Sequence, residues 1–170
     1  MTNNFINDKK IRDKIVYYIN DLFKEVNQNI ILKYFNNLNS NDISTKTSHD
    51  DFVSIADKKS EELICKKLLG FLNVKKFIGE EASYLNNKQY ITLLNEPLVW
   101  VVDPIDGTKN YINGKDTFCS MISLVSFSIP IATFIYYPLK NIYVYAFKGF
   151  GAYSMNIDTN KITKLSINQT

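Results

Sequence analysis

Trp100-Val101-Val102-Asp103-Pro104-Ile105-Asp106-Gly107-Thr108-Lys109-Asn110-Tyr111 is the stretch from which the rest of the 170-residue chain is read. The apolar, β-branched run Leu98 to Val102 predicts a buried central strand. That strand ends at Asp103, which Pro104 holds extended while breaking the ladder. Gly107 permits a sharp turn, and Thr108 stands where a helix can begin. Two carboxylates three residues apart on a rigid turn, followed by free N–H groups, point to a metal-plus-phosphate site. Hard cations such as Mg²⁺ take carboxylate and carbonyl oxygens. Amides at a helix start take phosphate oxygens. A plain turn is the commoner fate of Pro-Ile-Asp-Gly.

A second acidic point tips the balance. Phe77-Ile78-Gly79-Glu80-Glu81 also ends a short strand, Lys76 to Ile78, in carboxylates. A lone Glu-Glu pair is usually surface. Set beside Asp103 and Asp106 at the ends of neighbouring strands, it supplies a third carboxylate for a metal cluster.

Upstream, Ile11, Ile15, Ile19, Leu22, Val26 and Ile30 recur at three- and four-residue steps and predict an amphipathic helix from Asp8 to about Phe35. The Asn-rich run 36–41 ends it. A polar loop is expected to Asp51, then a second helix from about Ser54 to Leu72, with Ala56, Ile64, Leu68 and Phe71 inward. Downstream, Met121 to Val125, Ile131 to Tyr136 and Ile142 to Phe147 predict closely spaced strands. Helices followed by a meander imply an α+β fold: two N-terminal helices packed on a largely antiparallel sheet, as one unit over 1–170.

Composition narrows the function. Apolar residues make up 45% and charged residues 22%, so the chain can build a core. The net charge of +3 comes from nineteen Lys and only Arg12, in scattered pairs mixed with acids. Near-absence of Arg speaks against a nucleic-acid partner. Cys65 and Cys119 are too few for a disulfide scaffold and read as buried thiols of a reducing compartment. No charged start followed by an apolar run marks a leader. Phe118 to Tyr137 is apolar enough to suggest a membrane span, but Pro130 and its β-formers favour two strands. The expectation is a cytoplasmic protein with no membrane contact.

Four elements in order, Asp51-Phe52-Val53-Ser54-Ile55-Ala56-Asp57, Gly79-Glu80-Glu81, Asp103-Pro104-Ile105-Asp106-Gly107-Thr108 and Lys148-Gly149-Phe150-Gly151-Ala152-Tyr153, resemble the inositol monophosphatase superfamily. The resemblance implies a Mg²⁺-dependent, lithium-sensitive phosphomonoesterase built as an αβαβα sandwich. By its pattern Glu80, Asp103 and the Ile105 carbonyl hold one metal. Asp103 bridges to a second, which Asp106 also binds, and Glu80 reaches a third, weaker ion. Glu81 would stand behind these ligands. The amides of Gly107 and Thr108 would hold the substrate phosphate, with Asp106 beside it. Thr108 and Asp57 would orient the attacking water with Glu80, and Lys46 would support the site electrostatically. The implied partner is a small phosphorylated metabolite, inositol monophosphate by default, and family members are commonly homodimers.

Two departures stand out. Lys109-Asn110-Tyr111 replaces the Thr-Asn-Phe of many inositol monophosphatases. Lys after the Thr is familiar in relatives acting on 3′(2′),5′-bisphosphonucleotides or histidinol phosphate, which are the enzymatic alternatives. The chain also holds no Trp-Asp pair, Trp100 being its one Trp. The resemblance therefore covers an N-terminal half, with the C-terminal half of the domain absent, in a fragment or a natural truncation. A non-catalytic remnant is the alternative of another class. His49 reads as an exposed loop residue, and the aromatic run Tyr136 to Phe147 as core and rim of a sheet.

Overall fold

Asp8 starts the first helix. Its carboxylate accepts the Lys10 amide at 2.8 Å, and α1 runs Lys9–Val26. One π turn follows over Asn27–Ile31, and the helix resumes over Leu32–Tyr34. A computed structural model describes residues 5–46, 51–84 and 92–166 of the chain; His49 lies outside them.

The polar loop expected before Asp51 instead carries a short hairpin. Strands β1 (Ile43–Thr45) and β2 (Phe52–Ser54) pair antiparallel, Ile43 opposite Ser54. Three-residue strands are too short to show a period, which is why the pattern reading missed them. Ser54 then caps α2 (Ile55–Leu68): its hydroxyl accepts the Ala56 amide, and Asp57 reaches back to the Ser54 amide at 2.8 Å. This reciprocal capping box fixes both residues. The helix stops at Leu68, short of the expected Leu72, because Gly70 and Leu72 adopt left-handed backbone, φ 92° and 56°.

A seven-stranded sheet follows in chain order among the described residues: β3 (Phe77–Gly79), β4 (Val99–Asp106), β5 (Cys119–Ser126), β6 (Ile129–Tyr137), β7 (Ile142–Phe147), β8 (Gly151–Asn156) and β9 (Ile162–Leu165). Only β3 and β4 run parallel; the other pairs are antiparallel. Helix α3 (Glu80–Tyr84) continues from β3, and α4 (Thr108–Ile112) follows β4. The apolar stretch from Phe118 forms the β5–β6 hairpin, turning at left-handed Phe127 and Ser128. No helix among the described residues is long and apolar enough to cross a membrane.

Both long helices cover one face of the sheet. Phe23 stacks on Tyr136 at 5.5 Å, Tyr143 donates to the Val16 carbonyl at 3.1 Å, and Phe71 stacks on Trp100 at 6.2 Å. Trp100, Ile122, Phe134 and Tyr143 are fully buried there. The aromatic residues of β6 and β7 are thus largely core. The opposite face is different. Its cross-strand row Met121, Ile135, Val144 begins at Asp103 and is only half-buried. Cys119 is buried as expected, Cys65 is only half-buried, and neither is in a disulfide.

Candidate active site

The parallel pairing of β3 with β4 places Gly79, the end of β3, beside Val102 within β4. Glu80 follows the first of these residues and Asp103 the second. Past Asp103 the ladder to β5 breaks, resuming only at Asp106 opposite Cys119. Pro104 causes the break, since it has no N–H to donate. Its freed carbonyl accepts the Ser120 hydroxyl at 2.7 Å. Gly107 follows with φ 92°, and a Cβ there would stand 3.0 Å from the Thr117 carbonyl. Only glycine makes this turn without strain.

Asp103 is the electrostatic centre. Burial first, then the charge of Glu80 and a hydrogen bond with it, then Asp106 and Asp57, push its carboxyl up to about 8. Its Oδ1 is buried with no hydrogen-bond partner among the described residues. Glu80 and Asp103 line one cavity of about 310 Å³ with Met121 and Thr133. Asp106 is exposed, and the Cys119 thiol donates to Asp106 Oδ2 at 3.7 Å. Burial, then Asp106, raise that thiol to about 12.

Lys46 comes from the end of β1 with its side chain 5% exposed. Its Nζ stands 2.8 Å from Glu80 Oε1 and 2.7 Å from Glu81 Oε1. Burial alone would lower its pKa, yet the bonds to Glu80 and Glu81 hold it above the ordinary lysine range. Burial raises Glu81 to about 7 against the pull of Lys46. Among the described residues no three carboxylates are already drawn to metal-ligand spacing. The Lys46 ammonium pairs with both Glu80 and Glu81.

Thr108 opens α4, its Oγ1 3.0 Å from both Asp57 Oδ1 and the Ile105 carbonyl. Asp57 is fully buried, and its other oxygen accepts the Ser54 amide and hydroxyl. Burial raises the Asp57 pKa; the bonds from Ser54 and Thr108 oppose it. The structure therefore gathers the singled-out residues as two neighbouring groups: Glu80, Asp103, Asp106 and Lys46, and Asp57 with Thr108. Ser54 and Cys119, which touch these groups, were not singled out. Ser54 had a signal, the Ser-x-x-Asp capping spacing before an apolar run.

A family model described as the inositol monophosphatase family matches residues 13–169. The chain belongs to that family. A fructose-1,6-bisphosphatase/inositol-1-monophosphatase of Aquifex aeolicus is 38% identical over 103 residues, covering 61% of this chain and 36% of that protein. Inositol monophosphatase 1 of Saccharomyces cerevisiae is 35% identical over 124 residues, covering 73% and 41%. A solved Thermotoga maritima IMPase shares the fold with a TM-score of 0.69 at 21% identity, covering 84% of this chain and 51% of that one. The chain spans less than half the length of the curated relatives it matches.

The donor set suits a hard cation. Carboxylates at Glu80, Asp103 and Asp106 and the Ile105 carbonyl are all oxygen ligands. The orphaned, buried Asp103 Oδ1 is the observation that fits this inositol monophosphatase family member to a metal.

Proposed function

We propose that residues 1–170 form the N-terminal, metal-binding half of a Mg²⁺-dependent phosphomonoesterase. Its substrate is a small phosphorylated metabolite, inositol monophosphate by default, as the names of the relatives suggest. The observation that carries the reading is Asp103: a half-buried carboxylate crowded by Glu80, Asp106 and Asp57, whose Oδ1 is buried and unpaired among the described residues. A family that is generally metal-dependent supports it.

Glu80, Asp103, Asp106 and the Ile105 carbonyl would hold the ions. When bound, such ions lower the pKa of a water and stabilise the departing alkoxide in an in-line displacement. The chain's own residues do the rest. Asp57 accepts the Thr108 hydroxyl proton, which turns the Thr108 lone pairs outward to accept a proton from a water beside Glu80. The Gly107 and Thr108 amides receive phosphate oxygens, with Asp106 alongside. Lys46 neutralises Glu80 and Glu81 until a cation arrives.

A second reading rests on Lys109, exposed in the first turn of α4. A cation there favours a substrate with a second phosphate, as in a 3′(2′),5′-bisphosphonucleotide. Free thiols fit a cytoplasmic setting, and a homodimer is the assembly we expect. Phosphate release from inositol 1-phosphate and from adenosine 3′,5′-bisphosphate, with the remaining half of the fold supplied, tests these readings. Mg²⁺-dependent release from the first that is lost in Asp103→Asn is the expected result. Release from neither substrate would favour a non-catalytic remnant.

A further inference from the structure

Helix α3 begins after Gly79, a residue with no side chain to cap it. The first amides of a helix need acceptors, usually a Ser, Thr, Asp or Asn at the cap. Here α2 supplies them. Glu61 Oε2 accepts the Glu81 amide at 2.7 Å, and Glu61 Oε1 accepts the Ala82 amide at 2.9 Å. Glu61 is 6% exposed. Its carboxylate lies so close over Gly79 that a Cβ there would run into it. The long-range cap thus requires the absent side chain.

Two oxygens on two consecutive amides fix more than a helix end. They set the phase of the turn, and the turn carries both Glu80, which meets Asp103, and Glu81, which meets Lys46. Glu61 itself lines a different cavity, of about 1030 Å³, on the Lys46, Cys65 and Glu81 side of the turn. It therefore acts on the carboxylate cluster from behind, through the backbone.

We propose that Glu61 is a positioning residue that aims Glu80 at Asp103 and so preorganises the divalent-cation site; this rests on the metal-site reading above. The test measures Mn²⁺ binding to the 170-residue chain by the electron paramagnetic resonance of free Mn²⁺, together with amide exchange. Glu61→Gln presents an N–H₂ group to one of the two amides. It is expected to weaken Mn²⁺ binding about 10- to 100-fold, the range seen when groups orienting metal ligands are replaced. Exchange at Glu81 and Ala82 should quicken while the strands stay protected. Glu62→Gln, one residue away and exposed, should change neither. If Glu61→Gln does not fold, Glu61→Asp, one methylene short, is expected to weaken Mn²⁺ in the same way. Unweakened Mn²⁺ binding in a folded Glu61 variant overturns the proposal and leaves the metal site standing, as does fast exchange at both amides in the unmodified chain. Failure of the unmodified chain to bind Mn²⁺ overturns the metal-site reading and this one with it.

Discussion

Thr108 Oγ1 lies 3.0 Å from Asp57 Oδ1, joining the first turn of α4 to the first turn of α2. The two Asp57 oxygens have separate duties: Oδ2 closes the capping box with Ser54, while Oδ1 faces Thr108. Substitutions on the two sides of this contact should therefore have different signatures.

With the remaining half of the fold supplied, Thr108→Ala is expected to lower kcat about 10²- to 10³-fold, the scale of a lost proton-handling group. Mg²⁺ half-saturation should barely move, because no carboxylate is touched, and Thr108→Ser should recover most of the rate. Asp57→Asn should lose the rate and also about 1 kcal/mol of stability through the weakened cap. Steady-state kinetics beside thermal melts separate the two. Equal loss of Mg²⁺ affinity in Thr108→Ala and Asp103→Asn would contradict the assigned roles.

Asp103→Asn should have an opposite effect on the metal-free chain. A half-buried carboxylate pushed up to about 8 costs the folded state increasingly as pH rises above the unfolded value, and in full once the pH passes about 8. Removing the charge while keeping the shape should stabilise the metal-free protein by about 1 kcal/mol or more at pH 8.5. The same change should abolish stabilisation by Mg²⁺. Melting temperatures with and without Mg²⁺ give both readings in one experiment.

The carboxylate site was legible because its parts are local. Asp103 to Thr108 is one strand end, one proline and one glycine, and residues five or fewer positions apart must lie close. The long helices and the strands β4 to β7 were legible for a similar reason: each repeats its period often enough to be read. The hairpin β1–β2 was not, since Ile43–Thr45 and Phe52–Ser54 are too short for alternation to show. Glu61 was hidden for another reason. It stands among charged residues on α2, and its carboxylate packs over Gly79, eighteen positions later, which no helical pattern reports. The parallel β3–β4 pair likewise depends on the long connection between them, not on either strand's residues.

The stability of the metal-free chain should fall as pH rises. Asp103 and Glu81 have folded-state pKa values of about 8 and about 7, above those of free carboxylates. Each therefore binds its proton more tightly in the folded state. Their contribution is fully present below about pH 4, the unfolded value, and is lost as pH climbs toward 8. Mg²⁺ should flatten this slope and release protons on binding near pH 7, which titration calorimetry in buffers of different ionisation enthalpy can count. A metal-free denaturation midpoint that rises between pH 5 and 8 would contradict these environments.

The outer face of the sheet bears on activity most directly. Asp103 heads a cross-strand row that continues through Met121, Ile135 and Val144, and these three apolar side chains are only half-buried. In the proposed enzyme the other half of the sandwich would cover this face and wall in the carboxylates. Glu80, Asp103 and Asp106 are the carboxylates proposed for the site, and few carboxylates around a hard cation mean weak binding. Without that cover the phosphate ester would lack an alcohol-recognising side. The isolated 170-residue chain should therefore bind Mg²⁺ weakly, turn over little inositol 1-phosphate, and self-associate through this face. Val144→Lys should shift its sedimentation toward monomer while leaving the helix-covered core unchanged. Adding the remaining half of the fold, fused or in trans, should restore Mg²⁺-dependent, Li⁺-inhibited hydrolysis and suppress the self-association together. Rapid turnover by the isolated chain as a monomer would show that Glu80, Asp103 and Asp106 suffice without that second wall.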